Sequence, residues 1–122
     1  MREERGQLRG DQVVSEPYTL WGSIAGNVTA TKGSKFYVRG TIYGDLDVLV
    51  GGRCHVYGKV TGHLRVKDGA KVIVSGIVGK DAVNEGGRLY IENTSVIHGK
   101  VKTIKGETKI QKLLGGGPMT GE

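Results

Sequence analysis

Glycine returns along this chain at a step of 18. Gly22, Gly40, Gly58 and Gly76 form one series, Gly33, Gly51 and Gly69 a second, and Gly26, Gly44 and Gly62 a third. Aliphatic residues keep the same step, in Ile24, Ile42, Val60 and Val78 and again in Val28, Leu46 and Leu64. Several series sharing one period make an internal repeat, which outranks any local propensity in deciding the fold.

The repeat has strand chemistry. From 24 to 78 nearly every even position is apolar or glycine, while odd positions carry Lys35, Arg39, Asp45, Asp47, Arg53, Lys59, Arg65, Lys67 and Lys71. Alternation with period two marks strands with one buried face. A sandwich also alternates, but its strands do not return in register at a fixed step without hairpin turns. Asp68-Gly69 is the one hairpin-type dipeptide in the repeat. The expected fold is all-β: a single-domain parallel β-helix (β-solenoid) of about 18 residues per coil, with three short faces. Glycines at 22 and 26, 40 and 44, and 58 and 62 then mark corners. Val56 and Val74 should stack in one interior column.

The boundaries follow from where the pattern weakens. Residues 1–17 are charged, lack a sustained period and read as a mobile tail, with a short strand at 12–15. Pro17 cannot donate to a ladder and suits a boundary. Residues 18–104 form the β-helix domain, in which 22–78 give three regular coils. Gly79 falls 17 after Gly62, which implies a deletion between Gly76 and Gly79 and sets Asp81 opposite Leu64. Residues 105–122 read as a flexible tail. Ile104, Ile110, Leu113 and Leu114 either seal that end of the solenoid or stay loose.

The formal charge is +6 and the single cysteine is Cys54. One cysteine excludes an internal disulfide, which suits a reducing compartment. Cys54 lies on the buried parity, as an inert core thiol or a reactive one. No apolar run approaches about 18 residues and the N-terminus is charged, so the expected location is cytoplasmic, with membrane association left open.

The side chains that carry chemistry elsewhere are sparse here. His55 and His63 have outward parity, and no second ligand stands at a zinc-like spacing to them or to His98. Asp45 and Asp47 share one strand face, where solvated charge is the expectation. The glycines separate strands and do not lead into a helix, which excludes a phosphate loop. Tyr37, Tyr43 and Tyr57 point outward near Arg39 and Lys59, a faint likeness to RNA-binding sheets. No catalytic residue, cofactor, metal or small-molecule substrate is expected. The most specific arrangement is Lys35, Arg53 and Lys71, each 18 apart, with Arg88 a further 17 on. In a solenoid they stack as a column, either to meet an anionic polymer or lipid surface or as a screened corner.

The phrases VRGTIYGDLDV, VYGKVTGHLRV and LYIENTSVIHGKV resemble the bactofilin domain over roughly residues 18–104. That resemblance implies a small bacterial cytoskeletal protein with a parallel β-helix core that polymerises end to end without a nucleotide. Solenoid geometry points the same way, because strand edges lie bare at the two ends. Leu20, Trp21 and Ile24 are the expected contacts at one end and Val96, Ile97 and Val101 at the other, with Tyr18, Leu20 and Trp21 also able to cap the first coil. Two other classes compete. One is a β-solenoid module that binds an anionic glycan, membrane or nucleic acid through the basic column. The other is a hexapeptide-repeat acyltransferase, since an aliphatic falls at most sixth positions. That repeat favours a small residue after the aliphatic, whereas Tyr37, Tyr43, Leu49, His55 and Lys67 stand there.

Overall fold

The computed structural model describes residues 2–111 and is a parallel β-solenoid of about six turns. The first coil holds β1 (Arg2–Glu4), β2 (Gln7–Arg9) and β3 (Gln12–Val14). The second holds β4 (Pro17–Leu20), β5 (Ser23–Ala25) and β6 (Val28–Ala30). The third holds β7 (Lys35–Val38), β8 (Thr41–Ile42) and β9 (Leu46–Val48). The fourth holds β10 (Arg53–Val56), β11 (Lys59–Val60) and β12 (Leu64–Val66). The fifth begins with β13 (Lys71–Val74) and β14 (Ile77–Val78) and closes on β15 (Ala82–Ile91), which bends through a corner into the sixth. There β16 (Val96–Ile97) and β17 (Val101–Ile110) end the described chain.

Three faces result. β1, β4, β7, β10, β13 and the second half of β15 make the first, β2 through β16 the second, and β3 through the first half of β15 the third. Every pairing is parallel. Val56 lies beside Val74, and the column Leu20, Val38, Val56, Val74, Ile91 is buried throughout. A second inner column of the first face runs Tyr18, Phe36, Cys54, Val72, Leu89. The even aliphatics from 24 to 78 thus fill the core, as their alternation requires, with the exception of Val50, which is exposed at a corner. Burial pushes the Cys54 thiol up, away from the thiolate form, which makes it a core group.

The glycine series has a steric cause. A Cβ at Gly58 would lie 2.0 Å from the carbonyl oxygen of Gly40, and one at Gly76 2.1 Å from that of Gly58. At this corner each coil rests its Cα on the carbonyl below, a contact closed to any other residue. A second corner is held by side chains. Asp11, Asn27, Asp45, His63 and Asp81 each accept the backbone N–H of the corresponding residue one coil on, the first three at 2.9, 2.8 and 2.8 Å. Four of the five are Asx residues, whose side-chain oxygens suit this place, and His63 supplies Nδ1 in the same role.

Four expectations are corrected. Residues 2–14, read as a tail, are a full coil paired to the second at a step of 16. Its missing residues are at one corner, and its inward positions include Arg2, Glu4 and Gln12, so neither period nor apolar alternation announced it. Pro17 opens β4 instead of bounding the domain, a place where its missing donor is tolerated. The deletion lies later than Gly79. Ala82, not Asp81, pairs with Leu64, and the residue is lost between Asn84 and Arg88, where Glu85–Gly87 replace the longer corner Lys67–Ala70. Asn84, fully buried in the column above Val66, closes that corner: its Oδ1 accepts the N–H groups of Gly86 and Gly87, and its Nδ2 donates to the Gly87 carbonyl. Finally, residues 105–110, read as the start of a tail, belong to β17 on the open edge, with Ile104 and Ile110 largely exposed, and Leu113 and Leu114 lie outside the described residues.

Candidate functional site

The basic residues form the expected column. Lys35 pairs with Arg53, Arg53 with Lys71 and Lys71 with Arg88, all exposed on the first face. Pro17 precedes the column and Glu107 follows it. None of the four forms an ion pair with a described carboxylate. The third face differs. There Arg65 lies 3.3 Å from Asp45 and 3.1 Å from Asp47, Lys67 lies 3.0 Å from Glu85, and Lys102 lies 3.7 Å from Asp81. Asp45 and Asp47 are therefore partners of one guanidinium and not merely solvated. Burial alone would raise the Asp45 carboxyl, but the His63 N–H and the Arg65 charge outweigh it and hold it below the usual carboxylate range. The bond to Asp47 raises Arg65 in turn.

Two residues further along the same strands runs a second line: Tyr37, His55, Ile73 and Tyr90. Between it and the cations lies a recess of about 210 Å³ whose lining includes Lys35, Arg53, Lys71, Tyr37, His55 and Ile73. It is smaller than a pocket for a drug-sized ligand, roughly 300–1,000 Å³. Beyond it, Arg39 sits 4.2 Å from the ring centre of Tyr57 and 5.2 Å from that of Trp21, and the His55 ring stacks on Tyr57 at 3.8 Å. Sequence reasoning singled out Tyr37 and Tyr57 but missed Tyr90 and Trp21 as members of this surface. The parity change at Asn84 hid the former.

His55, Ser75 and Glu92 also meet here, unforeseen from the sequence because they come from three coils. Nε2 of His55 is 2.7 Å from Ser75 Oγ, and that hydroxyl donates to Glu92. Desolvation lowers the His55 pKa; Glu92 opposes this and Arg39 adds to it. The order is wrong for nucleophilic catalysis. The serine stands between histidine and carboxylate and gives its proton to the latter, so the imidazole does not act as its base. His63 is occupied by the corner ladder, where its Nδ1 accepts from the Asp81 N–H. Among the described residues no group of three His, Cys, Asp or Glu side chains could hold a metal ion, and no helix is long and apolar enough to cross a membrane.

The terminal residues divide. Val96, Ile97 and Val101 lie on or beside the open edge made by β16 and β17, with Val96 and Val101 exposed. At the other end the first coil covers Leu20 and Ile24, which are fully buried, so they do not line the opening; Trp21 is partly exposed on the flank and donates its Nε1–H to Glu3. The edge there consists of β1, β2 and β3, with Leu8 packed against the core.

No protein-family model, no curated protein and no solved structure matches the chain.

Proposed function

We propose that this is a structural protein that assembles end to end through its terminal coils, in the manner of the bactofilins its sequence resembles, and without a nucleotide. The observation that carries the reading is the state of the two ends. Among the described residues β1, β2 and β3 have neighbours on one side only, and so do β16 and β17. Each end therefore offers unpaired backbone groups together with part of the coil interior, and strand edges of this kind pair with other edges. Ile97, Val101 and Ile110 lie at the C-terminal opening. Burying such area gains roughly 25 cal/mol per Å² before the cost of association. The corrected N-terminal contact is the edge of residues 2–14, with Trp21 beside it.

Sedimentation and electron microscopy of the purified chain test this. The parent should form filaments or large oligomers without added nucleotide. Val101→Asp should give small, soluble species with unchanged circular dichroism. A parent that stays monomeric at high concentration overturns the reading.

A further inference from the structure

We infer that the first face binds a single-stranded nucleic acid along the coil axis, with phosphates on Lys35, Arg53, Lys71 and Arg88 and bases against the line of Tyr37, His55 and Tyr90. This goes beyond end-to-end assembly and does not depend on it, because both lines lie within one chain.

The first ground is the unneutralised charge. On the third face the register sets carboxylates beside Arg65, Lys67 and Lys102. The same device was open to the first face, yet four exposed cations succeed each other there at the strand spacing of about 4.8 Å. Like charges at that spacing repel, and a linear polyanion removes the repulsion while releasing its own counterions.

The second ground is the pairing of two parallel lines. The rings stand two residues from the cations, about 6.6 Å along the strand, and the recess between them is lined from both sides. A polynucleotide carries its phosphates on one line and splays its bases to one side of it. Proteins that hold single strands combine a cationic track with rings on which bases stack. An acidic polysaccharide bears charge and ring on the same line, and a lipid surface would call for cations spread over the face. On the far side of the column a trough of about 610 Å³ is walled largely by glycines, among them Gly51, Gly52, Gly69, Gly86 and Gly87, with Asp68 and Glu107 also lining it. Neither carboxylate is ion-paired to the four cations, and Lys71 reaches toward the Tyr90 ring at 5.9 Å.

The test is anisotropy of a short labelled oligothymidylate over a salt series. Four phosphate contacts give a log–log slope near about −2.8 for a single strand. The variant K35S/R53S/K71S/R88S should lose about tenfold or more in affinity, with the slope flattening toward zero. The control K59S/K80S/K100S/K105S removes the same net charge off the column and should stay within about threefold of the parent. Y37L/Y90L keeps apolar bulk without the rings. It should bind oligothymidylate about fivefold or more weakly and leave any residual binding of polygalacturonate unchanged. Circular dichroism confirms that each variant is folded. Absent binding at low salt, or equal losses in the two quadruple variants, overturns the inference. So does polygalacturonate or a phosphatidylglycerol vesicle bound as tightly as oligothymidylate and unaffected by Y37L/Y90L.

Discussion

The carboxylate of Asp81 accepts the backbone N–H of Lys100 at 2.8 Å, and with that bond the ladder that began at Asp11 stops. The next acceptor position is held by a lysine, which has only donors. The bond from Lys100 is the main reason the Asp81 carboxyl lies below its usual range, with the Lys102 charge adding to it against desolvation.

Acid should therefore loosen the ladder. Asp45 and Asp81 have folded pKa values below the ordinary value of 3.8. Their contribution is complete above that value and is lost as pH falls through the folded values. Asp45→Asn keeps an oxygen to accept from the His63 N–H but drops the charge facing Arg65. It should cost about 0.5–1 kcal/mol at neutral pH and flatten the acid limb of stability measured by urea unfolding.

The glycine corner gives a sharper contrast. Gly58→Ala sets a methyl 2.0 Å from the Gly40 carbonyl oxygen and should destabilise by about 1–3 kcal/mol. Gly10→Ala meets nothing within 4 Å, and only its φ of 89° resists; the cost there should be about 1 kcal/mol. Thermal melts of the two variants check the order.

Parity can be read the same way. Val56→Asp buries an unpaired carboxylate in a filled column and should cost about 3 kcal/mol or more. Lys59→Asp, on the exposed parity, should shift stability by about 0.5 kcal/mol or less. Equal losses would contradict the inward assignment of even residues.

Asn84 supports the last coil as well as its own corner. Its Nδ2 donates to the Glu107 carbonyl at 2.9 Å and to Thr108 Oγ1 at 3.1 Å. Asn84→Ala strands buried groups at about 1–3 kcal/mol each. Hydrogen exchange should then quicken over 101–110 ahead of the remaining strands.

The three regular coils were legible because Ile24, Ile42, Val60 and Val78 recur without interruption, and the cation column followed from the same arithmetic. What escaped did so where a corner changed length. Two residues fewer before Pro17 and one fewer after Asn84 shift the parity or the step, and a periodic reading takes either as the end of the pattern. Sequence spacing also gives rows along the axis more readily than contacts across them. The His55–Ser75–Glu92 cluster and the rings around Arg39 depend on side-chain reach between neighbouring rows, which no period records.

The corners carry most of this variation. In the ladders the first junction pairs three residues on each face where the next pairs four, two and three, and the last ladder shifts register between Asn84 and Arg88. Whether a coil advances by 16, 17, 18 or 19 residues, the number of residues paired with the coil below stays nearly the same. Under tension along the rod, each full junction opens only by breaking the bonds of three faces together, and all junctions bear the same load in series. The full junctions therefore share the load evenly, and the weak layer among the described residues is the partial turn at the end of β17, where Glu107 to Ile110 are held on the first face alone.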